Sequence, residues 1–384
     1  MSCYHPLKRF VLGYDEYNRC VDGRVKEVVR ILPAFDEIDG RLQEVTYLVK
    51  DKNDWSKWYG SPPDQSWNSR KVVSGKMIRC GKCLGCRMDK SQEWANRCIM
   101  ELQDHKDAYF LTLTYDQDHV PRSYFAHPDT GEAQPSLTLR KTDFQAFMKR
   151  LRKRVEPDRL RYFASGEYGD RTQRPHYHAI VFGLRLNDLV PYGANELGQM
   201  TYTSNFLQSV WAKRLAPKRH GSVTPLSADP SYFSETFGRI VVAPCTWETC
   251  AYVARYTVKK MYGEDAKDYE KFNIEPPFLL MSTHPGIGDN YFQAHKDEIL
   301  EFSKISIPTV NGGKTFRSPY RFEKLLEREL PWEEYFERKY QREDAMKAAR
   351  QVQMSQTSLT YGEVLAVKER TLQNRVKKLK RRLD

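Results

Sequence analysis

Arg174-Pro175-His176-Tyr177-His178-Ala179-Ile180-Val181-Phe182 constrains this chain more than any other stretch. Tyr, Ile, Val and Phe crowd a short run that Gly183 ends, which predicts a strand. Residues two apart in a strand share a face. His176 and His178 therefore project together, and Tyr177 turns the other way, into a core. Two imidazoles on one rigid face are two ready ligands for a divalent metal. A structural strand with two incidental histidines would give the same three-residue match, so the neighbouring stretches decide.

Upstream, Arg161 to Glu167 reads as another strand and leads into Ser165-Gly166-Glu167-Tyr168-Gly169. A hairpin between the two runs brings the Glu167 carboxylate beside the histidines. Downstream lies Tyr252-Val253-Ala254-Arg255-Tyr256-Thr257-Val258-Lys259. Thr246 can cap a helix there, and neither Gly nor Pro interrupts the run before Gly263. Tyr252 and Tyr256 then share a face one turn apart, with Lys259 three residues beyond. Tyrosines at that spacing more often pack a core than attack a substrate. Together with a metal site and a lysine, the pattern is far less common by chance.

This combination resembles the His-hydrophobe-His endonucleases that start rolling-circle replication. It is most similar to the initiators of the Microviridae, small single-stranded DNA phages, and to their gokushovirus branch. The residues carrying the resemblance are Phe110-Leu111-Thr112-Leu113-Thr114, Gly166 to Gly169, Pro175-His176-Tyr177-His178, and Tyr252 to Lys259. It spans roughly residues 80 to 290. The resemblance implies magnesium or manganese held by His176, His178 and Glu167, tyrosine nucleophiles at 252 and 256, and Lys259 beside them. It implies origin DNA, single-stranded or supercoiled, as substrate. Such an initiator works in the cytoplasm of a bacterial host with that host's helicase and DNA polymerase. A relaxase or transposase of the same chemistry, or a non-catalytic zinc-containing DNA-binding protein, are the competing readings.

Composition agrees with an anionic partner. The chain has 384 residues and a formal net charge of +12, which favours nucleic acid first and a membrane surface second. No run of about eighteen apolar residues is present to span a bilayer. Met1 to Pro6 is followed by charged residues, unlike a signal peptide. In a reducing cytoplasm, eight cysteines serve metal binding or packing rather than disulfides.

Three of them form Cys80-Gly81-Lys82-Cys83-Leu84-Gly85-Cys86. Thiols at this spacing with glycines between can wrap one zinc ion. Cys3 is the first choice for the fourth ligand, because the resembling initiators also start with a cysteine; Cys20 and His5 compete. An iron–sulfur cluster fits less well.

The remaining elements surround these motifs. Short strands are expected before residue 75 and a loop over Asp51 to Ser69. A helix is expected from Met88 to about His105, a scaffold strand from Ala108 to Tyr115, and a long loop from Asp116 to Leu139. A helix capped by Thr142 carries Phe144, Phe147, Met148 and Leu151 on one side and five basic residues on the other, a solvated face or a phosphate contact. A further helix is expected from Ser204 to about Leu215 and a strand from Arg239 to Ala243. Arg171, Arg174, Arg255 and Lys260 are candidate DNA contacts. Ser282 to Gly288 could offer backbone amides to phosphate or form a plain turn. Asn311 to Thr315 is rejected as a nucleotide-binding loop because Pro308 stands where glycine is needed, which is why a separate helicase is expected.

The order of elements predicts an α+β fold, and the resemblance makes its centre an antiparallel sheet of about five strands with flanking helices. Three regions are expected: 1–100 with the cysteines, 101–295 as the endonuclease, and 296–384 as a charged helical region. The last ends in a basic amphipathic helix with Leu372, Val376, Leu379 and Leu383 on one side, suited to DNA.

Overall fold

The computed structural model describes residues 3–19, 25–44, 47–48, 59–60, 74–155, 160–169, 172–195, 198–213, 235–259, 265–302, 304–309 and 312–380. The expected loop over Asp51 to Ser69 lies almost entirely outside them. By contacts the chain forms two units, Met1–Asp89 with Leu330–Asp384, and Lys90–Glu329.

In the first unit, β1 (Leu7–Arg19) pairs antiparallel with both β2 (Val25–Pro33) and β5 (Ser74–Ile78), while β3 (Phe35–Ile38) and β4 (Arg41–Glu44) form a hairpin. Helix Tyr361–Lys380 packs on that hairpin. Thr360 Oγ1 donates to the Leu42 carbonyl at 3.3 Å, and the Phe35 and Tyr361 rings lie 6.1 Å apart. Gly362 allows this approach, because a Cβ there would stand 2.5 Å from the Leu42 oxygen. Leu372 and Val376 are half-buried on this helix. Helix α1 (Leu84–Gln103) starts in this unit and continues into the second.

The second unit is built on one sheet. Its strands are β6 (Ala108–Thr114), β9 (Arg161–Tyr168), β10 (Pro175–Phe182), β11 (Leu189–Ala194), β12 (Met200–Ser204), β13 (Ile240–Pro244) and β14 (Phe278–Met281). They lie in the order β11-β12-β13-β6-β10-β9-β14, every neighbouring pair antiparallel. The sheet therefore has seven strands where about five were expected. Pro191 and Gly193 hide β11 in the sequence; it is an edge strand with a register shift between those residues, where both are tolerated.

Each face of the sheet carries its own core. On one side Tyr177, Ala179 and Val181 of β10 pack with Phe144, Phe147 and Leu151 of α2 (Lys141–Arg154) and with Trp211. On the other, Phe163, Ile180 and Phe182 pack with Ala95 and Cys98 of α1 and with Cys250, Val253 and Ala254 of α4 (Trp247–Lys259). His176 and His178 share this second face by strand alternation. Helix α2 thus covers the face opposite the histidines, and part of its basic side is engaged: Arg150 donates to the Val210 carbonyl at 2.9 Å and Arg154 to Ser209 Oγ at 2.7 Å.

Several local expectations change. Helix α2 begins at Lys141 after Arg140, which makes no side-chain cap, so Thr142 is not its cap. The stretch 116–139 contains a hairpin, β7 (Arg122–Ala126) with β8 (Ala133–Leu137). Helix α3 (Asn205–Val210) is shorter than expected, because Ala212 and Lys213 pair with Glu235 and Thr236. The charged helix from Glu323 to Lys347 is two helices, Tyr320–Glu329 and Trp332–Ser355, with Pro331 capping the second. Gly312–Arg317 is a strand paired with Lys304–Thr309, as rejection of a nucleotide-binding loop requires. The turn at 284–288 is structural. Gly286 N donates to Asp289 at 2.9 Å and Gly288 N to Glu101 at 2.7 Å, which leaves neither amide for a phosphate.

That turn is held by an ion pair. Glu101 of α1 is fully buried and accepts hydrogen bonds from Arg161 Nε and Gly288 N, with His105 Nε2 at 3.2 Å. Arg161 also donates to the Pro285 and Gly286 carbonyls, each at 2.9 Å. Burial opposes ionisation of Glu101, but hydrogen bonds from His105, Arg161 and Gly288 hold its carboxyl below the usual range. Its stabilisation is therefore complete above the unfolded value of about 4.3 and is lost as pH falls through the lower folded value. Glu101→Ala should cost about 3–5 kcal/mol, since it strands a buried guanidinium. Thermal unfolding should show the gap between wild type and Glu101→Gln at neutral pH, and that gap should close below about pH 4.

Candidate metal and tyrosine site

Register brings the carboxylate and the histidines together. Glu167 lies directly opposite His176, and Ser165 opposite His178, across the β9–β10 pair. On the other side of β10, Thr114 faces His176 and Thr112 faces His178. Opposed residues in an antiparallel pair point to the same face. Glu167 Oε1 lies 3.3 Å from His178 Nε2 and 3.8 Å from His176 Nε2. All three ligand atoms fall within 4.8 Å of one another.

The donor set fits a divalent ion. Ligand atoms about 2.1 Å from one ion stand about 3–3.5 Å apart, close to these separations. His176 Nδ1 lies 3.1 Å from the Arg174 carbonyl, which can only accept, so Nδ1 carries the proton and Nε2 keeps its lone pair. His178 Nδ1 meets Thr112 Oγ1 at 3.1 Å, and a proton donated there likewise leaves Nε2 free to ligate. Burial first, and His176 second, push the His178 imidazole well below its ordinary value, so it is neutral near pH 7. Neutral imidazoles and one carboxylate can take magnesium or manganese, and two nitrogens shift the preference toward manganese.

Neighbouring residues of the motifs serve the opposite face. Tyr177 donates to the Arg140 carbonyl at 2.9 Å and meets the Tyr115 hydroxyl at 2.7 Å. Tyr168 donates to the Glu275 carbonyl at 2.6 Å and accepts from Leu139 N at 3.0 Å. Gly166 lies under the Phe278 ring, where a Cβ would meet ring carbon at 2.7 Å. The glycine and two tyrosines therefore anchor the strands that aim Glu167 and the histidines the other way.

Helix α4 supplies the tyrosines. Thr246 caps it as expected: Thr249 N donates to Thr246 Oγ1 at 3.3 Å, and Thr246 N to Thr249 Oγ1 at 2.8 Å. The Tyr252 ring stands edge-on to His178, centroids 5.2 Å apart, and to Phe110 at 5.9 Å. Tyr256 follows one turn on, about 6 Å along the axis, and Lys259 ends the helix. The side chains of Arg255, Tyr256 and Lys259 lie outside the described residues, as do Arg171 and Lys260 entirely. Arg174 is engaged within the protein, donating to Gln117 Oε1 at 2.7 Å and to the Tyr115 carbonyl at 3.1 Å.

A second cluster lies in the other unit. Cys3, Cys80, Cys83 and Cys86 have sulfurs within 4.8 Å of one another. Of the competing fourth ligands, His5 is exposed and paired with Glu369 at 2.8 Å, and Cys20 lies outside the described residues.

Comparison with known proteins agrees with this arrangement. Residues 108–261 match the family model of the phage replication-associated protein ORF2. That span runs from the first residue of β6 to just beyond α4. Over 322 residues the chain is 30% identical to the replication-associated protein ORF2 of Spiroplasma virus 4, covering 82% of this chain and 88% of that protein. The chain belongs to the Microviridae-type replication-associated proteins. It is also 28% identical over 265 residues to the replication-associated protein VP4 of Bdellovibrio phage phiMH2K, covering 66% of this chain and 71% of that protein. With the replication-associated protein ORF4 of Chlamydia phage 1 it shares 26% identity over 270 residues, 68% of this chain and 57% of that protein. No solved structure matches the chain. Among the described residues no helix is long and apolar enough to cross a membrane.

Thr112 is the residue that sequence reasoning missed. Its strand reads as scaffold, and only the β6–β10 register sets its hydroxyl against His178. Thr112→Val keeps the shape and removes the hydrogen bond. It should weaken manganese binding about 10–100-fold. A manganese titration of nicking should show the curve moved to higher metal with the plateau retained; an unmoved curve would make Thr112 mere packing.

Proposed function

We propose that this phage replication-associated protein is a site-specific DNA nickase and ligase, with the endonuclease in residues 101–295 and the fold of the His-hydrophobe-His enzymes. The observation that carries the reading is the convergence of Glu167 Oε1, His176 Nε2 and His178 Nε2 on one face, with the Tyr252 ring 5.2 Å from His178. A divalent ion bound there would neutralise a non-bridging phosphate oxygen and orient the scissile phosphate. The phenol oxygen of Tyr252 or Tyr256 attacks the phosphorus as its proton leaves. The bond to the 3′ oxygen breaks, and that oxygen takes up a proton. Lys259 offsets negative charge on the phosphate or eases loss of the phenol proton.

The products are a 5′-phosphotyrosine link and a 3′-hydroxyl. The link conserves the energy of the broken bond, so the same site can reverse the reaction and close a circle. The 3′-hydroxyl primes the host polymerase, and a host helicase opens the duplex in the bacterial cytoplasm. Arg255, Lys260, Arg171 and Arg174 are the proposed contacts to DNA, single-stranded or in a supercoiled origin. End analysis of the cleaved strand tests the polarity. The 3′ end should be extended by a polymerase, and the 5′ end should stay closed to kinase labelling even after phosphatase, until protease and tyrosyl-phosphodiesterase remove the peptide. A blocked 3′ end with a free 5′ end would overturn the assignment.

A further inference from the structure

Nicking uses none of the four converging thiols. Cys80 Sγ and Cys86 Sγ lie 3.9 Å apart. Four sulfurs about 2.3 Å from one zinc stand about 3.8 Å apart, so a small contraction of the cluster closes a tetrahedron. Disulfides fit worse, since they need two separate pairs with sulfurs about 2.05 Å apart, whereas all four sulfurs here gather as one group.

The backbone is arranged for thiolates. Cys80 N donates to Cys3 Sγ at 3.2 Å, Cys83 N to Cys80 Sγ at 3.3 Å, and Tyr4 N to Cys83 Sγ at 3.4 Å. Hydrogen bonds from amides favour negative sulfur and hold each ligand in place. The Arg79 guanidinium, paired with Asp89, also bonds the Cys86 sulfur. A zinc ion with four thiolates carries a net charge of about −2, which Arg79 offsets in part. Cys3, Cys83 and Cys86 are buried, as a closed site requires.

We propose that Cys3, Cys80, Cys83 and Cys86 bind one zinc ion in a closed four-thiolate site. Soft thiolates select zinc over magnesium, manganese or calcium. With four protein ligands no position is left for water or substrate, so the site is structural. It clasps the segment leading into β1 to the start of α1 across a sequence separation of 77 residues. Metal binding at such a site is folding free energy.

The test uses the full chain, purified without chelator, and the double variant His176→Ala/His178→Ala. Elemental analysis should give about one zinc per chain in both. Cys3→Ser and Cys83→Ser should each lose it and melt at lower temperature. Exchange of cobalt into the unaltered chain should give thiolate-to-cobalt charge transfer and the intense visible bands of tetrahedral cobalt, a readout that needs no cysteine variant to fold. The proposal is overturned by a zinc-free wild type, by iron with acid-labile sulfide, or by octahedral cobalt spectra. Zinc retained in full by Cys3→Ser would also overturn it, because the fourth ligand would then lie elsewhere.

Discussion

His176→Ala and His178→Ala should each reduce nicking at least about a thousandfold, equivalent to about 4 kcal/mol of lost transition-state stabilisation, while binding to the same DNA changes only a few-fold. Each histidine supplies one of three ligand atoms that meet within 4.8 Å. Removing one leaves a two-ligand site that no longer holds an ion against the phosphate. Glu167→Gln should fall in the same range, because an amide oxygen replaces the only anionic ligand of the three. Excess EDTA should stop wild-type nicking, and added manganese should restore it. Electrophoretic binding measured beside cleavage separates this outcome from misfolding. Full activity in EDTA, or in either alanine variant, would remove the metal from the account.

The paired tyrosines carry the second large effect. One nucleophile suffices to open an origin. After one circuit the enzyme is still joined to the displaced strand, and a second cut needs a second nucleophile. Tyr252 and Tyr256 stand one helical turn apart on α4, and the Tyr252 ring lies against His178. Tyr252→Phe and Tyr256→Phe should each still cut once, at unequal rates, yet release closed single-stranded circles in repeated rounds at least about tenfold more slowly. The double variant should form no covalent product. Multi-round circles from Tyr252→Phe at the normal rate would leave Tyr252 as packing against Phe110 and His178, with Tyr256 as the sole nucleophile.

Much of the site is legible in the sequence because strand alternation and helical spacing are local. The shared face of His176 and His178 follows from a period of two, and the helix behind Thr246 from its cap and the absence of Gly or Pro. Glu167 needs one hairpin. What is not legible depends on pairing at long range. Thr112 meets His178 only because β6 and β10 adopt one particular register. Likewise, Glu101 and Arg161 are 60 residues apart, and the structure alone joins them in the buried pair. Two strands of the sheet were obscured for different reasons: β11 by Pro191 and Gly193, and β14 by being only four residues long. The basic side of α2, which suggests phosphate binding in sequence, belongs to the face opposite the histidines.

The central claim is a covalent bond between tyrosine and DNA. Single-stranded fragments tiled across the phage genome, incubated with the full chain and manganese and resolved under denaturing conditions, test it directly. One fragment should give a protein–DNA adduct that survives boiling in detergent. Peptide mapping should place its 5′ phosphate on Tyr252 or Tyr256, and Tyr252→Phe/Tyr256→Phe should give none. Cleavage that leaves a free 5′ phosphate and no adduct, or an adduct that persists in the double variant, would contradict it.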